Sequence, residues 1–196
     1  EAGLEDNTLV LFQSDNGAEP NAGGSSGALK GEKFQEWDGG VRSAAVIRWP
    51  AGFKGGWKNE QLCSYIDVLP TLCAVAGVST TPAKKLDGIN ILPSLKDKKT
   101  IDRELFLGHG SLIAGDWKLV KANSGNEKMK HTDDVLYNIV TDPTEKNNVR
   151  SQYPEKYKEL LNLVIPYEQM QSPVQVPPYG QGRKTFKAPR EWNVEK

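Results

Sequence analysis

Thr8-Leu9-Val10-Leu11-Phe12, followed after Gln13 by Ser14-Asp15-Asn16-Gly17, is the stretch on which the fold turns. The run is short, β-prone and lacks polar alternation, so it predicts a strand covered on both faces, as in the parallel sheet of an α/β fold. Open α/β sheets place ligands beyond the carboxyl ends of their strands, and Asp15 and Asn16 stand at that tip. Both bring the oxygen donors that a hard divalent ion such as calcium requires, and Gly17 lets the backbone turn sharply behind them. Asp-Asn-Gly is also an ordinary turn, and two donors fall short of the roughly six to eight oxygens that calcium takes.

Working outward, the glycine- and serine-rich stretch from Gly17 to Gly40 is too long for a simple connection and reads as a functional loop. Ala44 to Trp49 is a second strand candidate, closed by Pro50. Asp67 is placed to cap a helix from Val68 to about Ala76, with Gly77 as its stop and Leu69, Leu72, Cys73 and Ala76 as its core face. A looser connection from Val78 to Asp102 leads to strand-like pieces at Glu104–His109, Trp117–Lys121 and Val135–Asn138, which suggest an antiparallel sheet. Pro154 then starts a helix whose Tyr157, Leu160, Leu161 and Val164 form a stripe directed at that sheet. Beyond Gln171, prolines and glycines predict an extended or disordered tail.

The strings Ser14-Asp15-Asn16-Gly17, Gly23-Gly24, Leu29-Lys30-Gly31-Glu32-Lys33, Asp38-Gly39-Gly40-Val41-Arg42 and Trp49-Pro50 follow one another along the first quarter of the chain. Tyr65-Ile66-Asp67-Val68-Leu69-Pro70-Thr71, Gly115-Asp116-Trp117-Lys118-Leu119 and the segment from Leu136 to Asn148 come later. In order and spacing this set resembles the C-terminal part of type I sulfatases, arylsulfatase-like members of the alkaline phosphatase superfamily. The resemblance runs from about Thr8 to Val149. Asp38 stands where glutamate is usual and Lys30 where arginine is usual, each keeping its charge.

The resemblance implies an α/β fold: the C-terminal part of an alkaline-phosphatase-like core over residues 1–95, then a small four-stranded antiparallel sheet with one packed helix over 96–170, then a tail over 171–196. It implies that Asp15 and Asn16 are ligands of one calcium ion, shared with aspartates of the N-terminal part, and that Lys33 is a catalytic lysine that touches the sulfate. A lysine on a flexible loop can bring a point charge to a tetrahedral oxyanion, although by itself Lys33 reads as a solvated surface residue. His109 matches a family position at the end of a strand and is a substrate-binding candidate. Arg42 is expected to pair with a carboxylate and order the loop. The implied reaction is attack by a hydrated formylglycine on a sulfate ester. The C/S-x-P-x-R motif that supplies this nucleophile is absent from the sequence, so the chain alone is expected to be inactive.

Lysine plus arginine equals aspartate plus glutamate, 25 of each, leaving no global field for nucleic acid or anionic membrane. No run approaches the roughly 20 apolar residues of a membrane span. The first residue is Glu1 with no signal-peptide pattern after it, and this start reads as a cut edge. Family habit implies a periplasmic or secreted protein. Cys63 and Cys73 fit no metal spacing and read as buried or half-buried thiols, and His131 as surface. The expected partners are a sulfate-ester substrate and either the N-terminal part of the same enzyme or a self-associating copy. Two rival readings stand beside this one: phosphate- or phosphonate-ester hydrolysis within the superfamily, and a non-catalytic fragment.

Overall fold

The computed structural model describes residues 2–79 and 86–170. The tail beyond Gln171 lies outside the described residues. Strand β1 (Val10–Gln13) pairs with β2 (Ala45–Arg48) in an antiparallel two-stranded ribbon, Val10 opposite Arg48 and Gln13 opposite Ala45. The expectation of a covered strand in a parallel sheet is corrected here. Phe12 is 72% and Val46 64% exposed, because no element of the described residues packs on either face of the ribbon.

Helix α1 (Asp38–Val41) is one turn at the end of the long loop, and α2 (Val68–Val75) follows a 3-10 turn at Tyr65–Asp67. Asp67 does not cap α2. Its carboxylate takes the backbone N–H groups of Ser64 and Ile89 and pairs with Arg103, so it ties the 3-10 turn to later segments. The face assigned to the core is also corrected: Leu69 and Leu72 are exposed, and burial falls instead on Pro70 and Thr71. The Thr71 hydroxyl accepts the Ile91 N–H just before helix α3 (Leu92–Asp97), an element hidden in what the sequence presents as a loose connection. Cys63 is exposed rather than buried, and Cys73 is half-buried.

Strands β3 (Glu104–Gly108), β4 (Ser111–Ala114), β5 (Trp117–Val120) and β6 (Val135–Asn138) form an antiparallel sheet in sequential order. Helix α4 (Pro154–Glu168) covers one face. Alternation along the strands divides the side chains. Leu112, Leu119 and Leu136 point to α4 and meet Leu160 and Val164, all fully buried. Each such side chain stabilises the fold by about 1.5–3 kcal/mol. The opposite parity, Lys118 and Val120 on β5 and Tyr137 on β6, faces the long loop, where Trp37 joins Val120, Met129 and Tyr137 in a second cluster. The sheet is therefore a middle layer, with a helix on one side and the glycine-rich loop on the other.

Candidate functional site

The long loop is held by backbone contacts that only small residues permit. The N–H groups of Gly17 and Ala18 donate to the carbonyls of Gly40 and Gly39, the Gly39 N–H donates to Lys30, and the Lys33 N–H donates to Ala18 at 2.8 Å. A Cβ on Gly17 would collide with the Gly39 carbonyl, and one on Gly39 with the carbonyl of Gly31. These bonds bring the Asp15-Asn16 turn and the Lys33 segment onto one lattice. The Asp15 and Asn16 side chains make no hydrogen bond or ion pair among the described residues, in contrast to the carboxylates of Asp38, Asp67 and Asp142. They are adjacent uncommitted oxygen donors. Among the described residues no group of three or more metal-ligating side chains exists, so a cation here would draw its other donors from elsewhere.

No carboxylate among the described residues pairs with Lys33, whose Nζ lies 5.4 Å from the ring of Phe34. Phe34 has a φ of 75°, a conformation that a bulky residue adopts only under constraint, and its ring is 64% exposed. The constraint is visible: the Asn126 side-chain amide donates to the Phe34 carbonyl at 2.8 Å and to the Glu36 carboxylate. Nothing in the local sequence marks Phe34 as the residue that would take a left-handed backbone next to Lys33. His109, placed by sequence at a strand end, lies in the β3–β4 turn with φ 44° and its Nδ1 3.3 Å from the Ser124 carbonyl. No hydrogen bond joins it to Asp15, Asn16 or Lys33.

Behind the loop is a buried charge cluster. Lys118 is wholly buried, with Nζ 2.7 Å from Asp38 Oδ1 and 2.8 Å from Glu145 Oε1. The Asp38 N–H donates to the other Glu145 oxygen at 2.7 Å, and Arg42 pairs with Asp38 from the surface, as its sequence position led us to expect. Burial pushes the Glu145 carboxyl upward, against the opposing pull of Lys118 and the Asp38 N–H. Lys30 donates to the Tyr137 hydroxyl and the Glu145 carbonyl, with its ammonium 3.5 Å from the Trp37 ring centroid. Burial lowers the Lys30 ammonium and pushes the Tyr137 phenol up to about 12. In the sequence Lys118 and Glu145 are only letters within separate motifs; in the fold they lock the loop carrying Lys33 onto the sheet. The signal in the sequence is a lysine set between apolar residues of one strand, Trp117 before it and Leu119 and Val120 after it.

Desolvation and the nearby Asp67 carboxylate push the Cys63 thiol upward, away from the thiolate form.

The Sulfatase family model matches residues 1–78. Human N-acetylgalactosamine-6-sulfatase is 37% identical over 114 residues, covering 56% of this chain and 22% of that protein. N-acetylgalactosamine-6-O-sulfatase of Bacteroides thetaiotaomicron is 29% identical over 186 residues, covering 82% of this chain and 36% of that protein. A solved structure connected with metabolism of multiple glycosaminoglycans by Bacteroides thetaiotaomicron superposes with a TM-score of 0.68 at 28% identity, over 85% of this chain and 40% of that one. The chain spans well under half the length of these relatives. Residues 1–78 thus match the Sulfatase family, and the chain is similar to part of the sulfatase fold.

Proposed function

We propose that this chain supplies the C-terminal part of a sulfatase that hydrolyses aryl or carbohydrate sulfate esters. The observation that carries the reading is the lattice that joins the Lys33 backbone to Ala18, three residues from Asp15, and so gathers an unpaired ammonium and two uncommitted oxygen donors on one loop. Lys33 holds sulfate oxygens and offsets the charge that develops on the transferring group. Asp15 and Asn16 fit a calcium ion as part of its ligand set, and such an ion supplies Lewis-acid stabilisation of the sulfate oxygens. The nucleophile, formylglycine in the family pattern, belongs to the part of the fold outside this chain. His109 serves as a substrate contact at the rim. Two of the similar proteins bear names that specify N-acetylgalactosamine 6-sulfate, which makes that ester the first carbohydrate to try.

The partner in this reading is the N-terminal part of the same enzyme. Phe12, Val46, Leu69 and Leu72 form apolar surface that no described element covers, on a chain that spans 40% of its solved relative. No helix among the described residues is long and apolar enough to cross a membrane, and we expect an exported protein, periplasmic or secreted.

The test is turnover of a fluorogenic aryl sulfate by the chain joined to its N-terminal part, with native mass spectrometry of the assembly. Calcium-dependent activity is expected, with Lys33→Ala lowering kcat about 100-fold or more, the scale of losing one charge-stabilising donor. Full activity in Lys33→Ala, or activity indifferent to chelator, overturns the proposed roles. A chain that pairs only with itself overturns the proposed partner.

A further inference from the structure

The segment that presents Lys33 is a tight turn. The Gln35 N–H donates to the Glu32 carbonyl at 3.1 Å, which puts Lys33 and Phe34 at the two central positions. Phe34, with its φ of 75°, takes the third position, where a turn of this hand favours glycine or asparagine because a Cβ there crowds the backbone. The Gln35 side chain closes the turn a second time, its Oε1 accepting the Glu32 N–H at 3.0 Å. The turn is also held from outside, by the connection between β5 and β6. The Asn126 amide nitrogen donates to the Phe34 carbonyl and, at 2.7 and 2.9 Å, to the two oxygens of the buried Glu36 carboxylate. Its own oxygen accepts the Lys128 N–H at 2.9 Å, so turning the amide over would break bonds at both ends. The Gln35 amide donates to the Lys128 carbonyl at 3.2 Å, a second tie between the same two loops. On its other side this connection meets His109, whose Nδ1 lies 3.3 Å from the Ser124 carbonyl. Two site candidates 76 positions apart, Lys33 and His109, therefore converge on residues 124–126.

We propose that Asn126 is a positioning residue for the hydrolysis: it fixes the left-handed backbone of Phe34 and thereby the direction in which Lys33 offers its ammonium. The inference rests on the proposed role of Lys33 as the lysine that holds the sulfate group. A residue without the freedom of glycine leaves the left-handed region when nothing holds it there, and relaxation at Phe34 swings the adjoining Lys33 side chain. Misplacing a group by about 1 Å can cost on the order of 100-fold in rate. The flexible four-carbon stem of a lysine recovers part of such a displacement, which leaves an expected loss of about tenfold. Asn126 acts through the Phe34 carbonyl and takes no part in the chemistry itself.

The experiment measures kcat and KM for a fluorogenic aryl sulfate with the chain joined to its N-terminal part, well below the Tm of every variant. Asn126→Ala is expected to lower kcat about tenfold, whereas Glu127→Ala, a change of the exposed neighbouring side chain, leaves it as in the parent. In a Phe34→Gly background the same Asn126→Ala change is expected to lower kcat less than about threefold, because glycine takes the left-handed backbone unaided. A merely structural asparagine would lower Tm and leave kcat of the folded enzyme alone. Asn126→Ser, which keeps one donor, is expected to fall between parent and Asn126→Ala, and it serves in place of Asn126→Ala should that variant not fold. Amide hydrogen exchange of the full chain reads the turn without turnover: the Gln35 N–H should exchange about tenfold faster in Asn126→Ala, while the Leu119 N–H in the sheet keeps its rate. The proposal is overturned if the folded variant keeps the parent kcat, if Gln35 exchange is unchanged, or if the loss is as large with Phe34→Gly as without it. Full activity in Lys33→Ala removes the role of the lysine and this inference with it. An impaired Lys33→Ala beside an unimpaired Asn126→Ala removes this inference alone.

Discussion

Replacing Lys118 by Met keeps the length of the stem and removes the ammonium from between two buried carboxylates. Lys118, Asp38 and Glu145 are at most 2% exposed, so water cannot take the place of the lost charge. Breaking a buried pair by removing one partner costs about 3–5 kcal/mol. The lower end applies here, because Arg42 remains on Asp38 and the Asp38 N–H remains on Glu145. With about 2–4 °C of Tm per kcal/mol for a chain of this size, a loss of about 3 kcal/mol lowers Tm by roughly 6–12 °C. Circular dichroism melts at neutral pH measure it, with Lys128→Met as the exposed control, expected to move stability by no more than about 0.5 kcal/mol. Adding Asp38→Asn and Glu145→Gln to Lys118→Met removes the unbalanced charge and should recover a large part of the loss. The reasoning fails if Lys118→Met melts within about 2 °C of the parent, or if the triple variant is less stable than the single one.

Leu160→Ala empties a fully buried position between α4 and the sheet and should cost about 2–5 kcal/mol in urea unfolding, whereas Leu163→Ala, only partly buried, should cost less. The Tyr137 phenol is held protonated up to about 12, while an unfolded tyrosine ionises near 10. Between those values the folded state binds more protons than the unfolded one, so stability falls as pH rises through that window; Tyr137→Phe should flatten the fall, read by alkaline melts. Leu69→Ser, on the open face of α2, should leave the melting of the chain alone within about 0.5 kcal/mol, yet weaken its assembly with the N-terminal part in native mass spectrometry.

The C-terminal half was the more legible. Its short strand-like pieces are set apart by turn signals and its helix carries a stripe at Tyr157, Leu160, Leu161 and Val164, so sheet and helix point to one interface, the one at which Leu160 and Val164 are buried. Strand β4 escaped notice because Ser111-Leu112-Ile113-Ala114 is short and hemmed by glycines at both ends. In the first half, local pattern misled. Leu69 and Leu72 carry the correct helical spacing, but what an apolar face packs against is decided by elements far away in sequence, and none of the described ones reaches it. For the site, the motif letters gave positions without partners. Sequence held Asp38, Lys118 and Glu145 in separate strings, and only the fold shows them as one cluster. The packing of the His131 ring on Trp37 had no sequence signal at all, since the two residues lie 94 positions apart.

The salt-bridge cluster also sets a rule for exchanging parts among relatives. Asp38 belongs to the loop that presents Lys33, whereas Lys118 and Glu145 arrive with the antiparallel sheet, so a crossover anywhere between residues 43 and 117 splits the trio between two parents. A chimera that inherits a loop acid of a different length, such as glutamate for Asp38, meets Lys118 at the wrong reach, and its Lys33 segment loses its anchor although Lys33 itself has not changed. Designers of hybrid enzymes should therefore transfer these positions together, as a single inherited unit.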